Sequence, residues 1–120
     1  MKNQLHRIDL EMFEGPLDLL LFLIKRDELN IYDIPIAQIT KDFLEYVDLA
    51  KELKLHSAGD FVLMAATLMK IKARMLLPIE ANGDDEIEDP RTELMNMLLE
   101  YKRYKEATST FSEMERFERP

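Results

Sequence analysis

The chain has 120 residues and a formal net charge of −8, a balance that repels a phosphate backbone and argues against direct nucleic-acid binding, which rests on a basic surface. The absence of cysteine excludes disulfides, thiolate metal sites and thiol nucleophiles. An apolar fraction of 47%, 8 methionines and only 3 glycines predict a mainly α protein with one modest core.

In chain order, the first pattern is an alternation over residues 6–13. Ile8, Leu10 and Met12 fall on one side and Arg7, Asp9 and Glu11 on the other, which is the period of a half-buried β-strand. Such a strand needs an edge to pair with. Charges interrupt every short apolar group here, so the segment lacks the unbroken apolar region of a secretory signal.

Gly15 and Pro16 open a first helix over residues 17–26, proline being tolerated where its missing N–H is not needed. Its apolar run, residues 19–24, falls far short of the ~20 residues that cross a bilayer. A soluble, cytoplasmic protein is therefore expected. A connection follows in which Asp33 is the expected N-cap of a second helix over residues 35–53. Ile36, Ile39, Phe43, Val47, Ala50 and Leu53 recur there at steps of three and four, while Lys41, Asp42, Glu45, Asp48 and Glu52 occupy the other face. The link over residues 54–56 is short enough to make the second and third helices antiparallel neighbours.

The third helix, residues 57–77, opens with Ser57 and Asp60 spaced as a capping box and stops at Pro78. At 100° per residue it carries two apolar stripes instead of one. Phe61, Met64, Leu68, Ile71 and Met75 form the first; Val62, Ala66, Met69, Ala73 and Leu76 form the second. Thr67, Lys70 and Arg74 mark a narrow polar side. Two readings follow: a central helix buried on both stripes by its own domain, or one stripe facing the core and the other a partner.

Residues 79–89 crowd Glu80, Asp84, Asp85, Glu86, Glu88 and Asp89 around Asn82 and Gly83, the composition of a solvated linker. Asp89 and Pro90 then cap and open a fourth, long helix reaching Ser112 or beyond. Leu94, Met97, Leu98, Tyr101, Tyr104 and Phe111 share a face of it, which can pack back on the first three helices or lie in another protein's groove. The fold expected is a small N-terminal helical domain over residues 1–78, of three helices and a short strand, then an acidic linker over 79–89 and a helical segment over 90–120.

Little in the chain points to catalysis. His6 and His56 stand alone, and Gly15, Gly59 and Gly83 are too isolated to cradle a phosphate. The acidic cluster of residues 84–89 lacks the spacing and glycine position of a calcium loop. No catalytic, cofactor or metal residue is assigned, and a non-enzymatic protein is expected.

Three motifs occur together in order: FEGPLDLLL at 13–21, IYDIPI at 31–36, and the stretch over 65–78 that ends KARMLLP; LEYKRYKEA follows at 99–107. Across residues 8–78 the sequence strongly resembles the N-terminal part of the bacterial segregation and condensation protein A family, the prokaryotic kleisins. The resemblance implies a bridging subunit whose N-terminal domain docks on the coiled-coil neck of an SMC ATPase. It also implies a middle segment wrapped on a dimer of segregation and condensation protein B, and a C-terminal winged helix that closes a ring around DNA. It implies further that ATP is bound by SMC and not by the kleisin, and that the setting is the nucleoid. The sequence stops at Pro120 without that winged helix, so a truncated chain is expected.

Carried onto this chain, the resemblance puts the neck contact on the third helix. Phe61, Met64, Leu68, Ile71 and Met75, large and adaptable at heptad spacing, are assigned to the neck, because Ala66 and Ala73 suit close helix contact inside the domain. Leu94, Leu98, Tyr101, Tyr104 and Phe111 are assigned to protein B. The rival expectation is a self-associating helical module that pairs its surplus stripe with a second copy across a two-fold axis.

Overall fold

The computed structural model describes residues 12–53, 58–78 and 88–118. These form four α-helices: α1 Pro16–Arg26, α2 Ile36–Leu53, α3 Ala58–Leu76 and α4 Thr92–Glu118, with a 3-10 turn at Ile31–Asp33 between α1 and α2. Among the described residues there is no strand. Most of the predicted N-terminal strand, the Ser57 cap and most of the acidic linker lie outside the described residues.

Local chemistry explains the boundaries. At the start of α1, Pro16 takes the first helical position, and Asp18 reaches back to accept the Glu14 backbone N–H at 3.0 Å. At its end, Leu29 N–H bonds the Ile24 carbonyl at 2.8 Å and Glu28 N–H bonds that of Lys25 at 3.2 Å. This is a Schellman closure, with Glu28 in the left-handed position at φ 55°. Asn30 Oδ1 then accepts the Tyr32 N–H at 3.0 Å and sets the 3-10 turn.

One expectation is corrected here. Asp33 does not cap α2: it sits inside the 3-10 turn, and its carboxylate accepts from Arg91, drawn there by the guanidinium charge. Asp89 is close to its expected role. Its carboxylate takes the Arg91 backbone N–H at 2.9 Å, and its carbonyl takes the Thr92 N–H at 3.0 Å, closing the turn that leads into α4.

α2 pairs most extensively with α3. Lys72, late in α3, lines a groove with Ala37, Thr40, Lys41 and Leu44 from early α2, as expected of antiparallel neighbours. Of the predicted stripe of α2, Ile36, Ile39, Phe43 and Val47 are buried, and Ala50 and Leu53 lie outside the residues whose side chains are described. Phe43 stacks on Phe61 of α3 with ring centroids 6.2 Å apart, inside the 4.5–7 Å range of favourable aromatic pairs. Leu19, Leu20 and Leu23 of α1 complete the inner layer.

α4 also belongs to this core. It packs on α1 and on the 3-10 turn, with Leu94 and Leu98 fully enclosed and Met95 and Leu99 half-buried beside them. At 27 residues it runs about 40 Å. From Lys102 to Thr110 every side chain except Lys105 is exposed, so its later turns project from the bundle.

Candidate functional site

The geometry of α3 divides its two stripes unambiguously. Phe61 and Leu68 are 0% exposed and Ile71 is 7% exposed, all within the core, and Met64 packs half-buried against it. Met75 lies at the rim with 38% exposure. The other stripe is open to solvent: Val62 is 42% exposed, Met69 49% and Leu76 74%, with Ala66 and Ala73 exposed between them.

The stripe expected to meet a partner is therefore the one the domain uses for itself. Phe61, Leu68 and Ile71 are engaged by α2 and the rest of the core, and offer no docking face in this fold. The physical reason is volume, because an aromatic ring opposite Phe43 and two branched aliphatics fill the space between α2 and α3, which alanines would leave empty.

The exposed stripe has the geometry of a coiled-coil seam. Val62, Ala66, Met69, Ala73 and Leu76 are spaced four, three, four and three, the alternation that keeps knobs aligned along one side of a helix. Large and small residues alternate along it, so a partner helix can approach closely at the alanines while its own knobs pass between Val62, Met69 and Leu76. Beside the seam runs a second exposed row, Leu63, Lys70, Arg74 and Leu77. Thr67 in the same row turns its hydroxyl inward to donate to the Leu63 carbonyl at 3.0 Å. Val62, Leu63, Met69 and Leu76 of α3, with Leu77 just past its end, are large apolar side chains exposed on this side, a concentration of the kind found at interfaces.

The second set of expected site residues divides along α4. Leu94 and Leu98 are buried in the core, where α4 packs on α1. Tyr101 is half-buried and donates its hydroxyl to Glu14 Oε2 at 2.8 Å. Lys105 reaches the same carboxylate at 3.3 Å and Asp18 at 3.8 Å. Hydrogen bonds from Tyr101 and Lys105 hold the Glu14 carboxyl below its ordinary value, and burial together with the Glu14 hydrogen bond raises the Tyr101 phenol. Tyr104 stands 57% exposed, and Phe111 lies outside the residues whose side chains are described.

Sequence reasoning missed Arg91. Its guanidinium bonds Asp89 at 2.7 and 3.0 Å, Asp33 at 2.9 Å and the Ile34 carbonyl at 2.8 Å, tying the start of α4 to the 3-10 turn. Among the described residues, no group of three or more histidine, cysteine or acidic side chains is placed to hold a metal ion. No helix among them is long and apolar enough to cross a membrane.

The domain thus buries one face of its central helix and leaves a heptad-spaced apolar seam open to solvent. The family described as "Segregation and condensation protein ScpA" matches residues 23–119, and the chain belongs to that family. It is similar to segregation and condensation protein A of Bacillus cereus strain AH187 and of Bacillus anthracis strain CDC 684 / NRRL 3495, with 51% identity over 115 aligned residues in each case. The same protein of Bacillus thuringiensis subsp. konkukian strain 97-27 matches equally. These alignments cover 92% of this chain and 47% of the relatives, so the chain spans about half the length of the curated relatives it matches.

Proposed function

We propose that this chain is a non-enzymatic kleisin subunit in chromosome condensation and segregation, and that its helical domain docks on the coiled-coil neck of an SMC ATPase. The observation that carries the reading is the exposed seam of α3. The neck contact is accordingly moved from the Phe61 stripe to Val62, Ala66, Met69, Ala73 and Leu76, with Leu63 at the edge. Membership in a family named for segregation and condensation supports the cellular role. An acidic chain suits a subunit that bridges proteins around DNA without gripping it. The setting of such a role is the cytoplasm, at the nucleoid.

The projecting turns of α4 lead toward the contact with segregation and condensation protein B. Tyr104 and Phe111 remain assigned to that contact, with Tyr101 at its inner edge, whereas Leu94 and Leu98 are withdrawn because the domain's own core uses them. The test of the neck contact is calorimetric titration of this chain with an SMC neck coiled coil. Val62→Asp with Met69→Asp, both at exposed positions, should leave helicity unchanged and abolish binding. Equal binding by that folded double variant and the wild type would overturn the seam; no binding by the wild type at low salt would overturn the role.

A further inference from the structure

The seam is flanked by cations in a chain that is acidic overall. In the heptad frame that places Val62, Met69 and Leu76 at one core position and Ala66 and Ala73 at the other, Lys70 and Lys72 occupy the two flanking positions. In coiled coils those positions set partner choice and orientation through charge. Arg74 follows Lys70 one turn on, in the same exposed row.

Among the described residues, none of these three cations is in an ion pair, whereas Arg26, Arg91 and Lys105 all are. Lys72 leans toward the groove it shares with Glu45 and Asp48 of α2 and is half-buried there. Among the described residues, neither Lys70 nor Arg74 has an acidic side chain within 4.0 Å; both are exposed, Lys70 at the flank of the apolar seam and Arg74 one turn on and further round on the polar side.

Resting on the docking reading above, we infer that the partner helix covering the seam carries carboxylates one helical turn apart, facing Lys70 and Arg74, so that the partner is an acidic coiled-coil segment held in register by charge. The same arrangement disfavours an antiparallel second copy of this chain as occupant. An antiparallel pairing that overlaps the whole seam brings Lys70 close to its own counterpart, and like charges across an interface are costly.

The experiment measures the affinity of this chain for an SMC neck coiled coil at 50 and 500 mM salt. Wild type should weaken with salt, since rim charges are screened within about 10 Å at 0.1 M. Lys70→Glu with Arg74→Glu, checked for unchanged helicity, should bind about tenfold or more weakly at the lower salt and lose or reverse that salt dependence. Lys70→Gln with Arg74→Gln should fall between. If the charge-reversed variant binds like wild type at low salt while Val62→Asp with Met69→Asp does not bind, the acidic partner is refuted and the seam stands. If Val62→Asp with Met69→Asp binds as wild type does, the docking reading itself is refuted.

Discussion

Arg91 donates to the main-chain oxygen of Ile34 across 2.8 Å although 57 positions separate them. The same guanidinium holds Asp33 and Asp89, so one side chain joins the 3-10 turn, the entry to α4 and a backbone carbonyl that has no helical partner. Its side chain is 14% exposed, and hydrogen bonds of a charged group are worth about 1.5–3 kcal/mol each in favourable settings. Arg91→Ala leaves Asp33, Asp89 and the Ile34 carbonyl without that donor. The expected loss is about 2–3 kcal/mol in urea unfolding. Arg91→Lys should recover only a minor part, because an ammonium cannot present a planar fork to acceptors on three sides. Unfolding should remain one transition, since Leu94 and Leu98 make α4 part of the core.

The Tyr101 hydroxyl on Glu14 gives stability a definite pH dependence. Hydrogen bonds from Tyr101 and Lys105 lower the folded-state Glu14 value below its ordinary 4.5. A carboxyl whose value is lower folded than unfolded adds stability that is fully present above the unfolded value and is lost as pH falls through the folded one. Tyr101→Phe removes the larger of the two causes. The thermal midpoints of wild type and variant should therefore differ at pH 7 and converge as pH is lowered from about 5 to 3. A gap that stays constant over that range would mean that Tyr101 acts through packing alone.

How far the sequence reveals this fold depends on the reach of each interaction. α2 is legible because one stripe, Ile36, Ile39, Phe43 and Val47, reports directly which side is buried. α3 shows only that two stripes exist. Thr67, Lys70 and Arg74 lie about 110° from either stripe at 100° per residue, and both stripes keep heptad spacing, so periodicity cannot choose between them. The volume of Phe61 opposite Phe43 chooses, and that pairing is tertiary. The docking of α4 is hidden for a similar reason: an acidic segment before it reads as separation, while Arg91 and Ile34 meet with no local signature.

Glu28 provides a prediction of opposite sign. It occupies the left-handed position that closes α1, at φ 55°, where a side chain crowds the following carbonyl and costs about 1 kcal/mol or more. The closure needs only its N–H, bonded to the Lys25 carbonyl. Its exposed side chain makes no hydrogen bond or ion pair recorded among the described residues. Glycine meets the same backbone requirement without that crowding, and its greater freedom in the unfolded chain offsets part of the gain. Glu28→Gly should therefore stabilise the domain by up to about 1 kcal/mol in denaturant unfolding with an unchanged m-value. Glu28→Ala keeps the crowding and removes the charge, so it separates the two causes: a rise with glycine alone assigns the effect to the backbone, and an equal rise with alanine assigns it to the carboxylate.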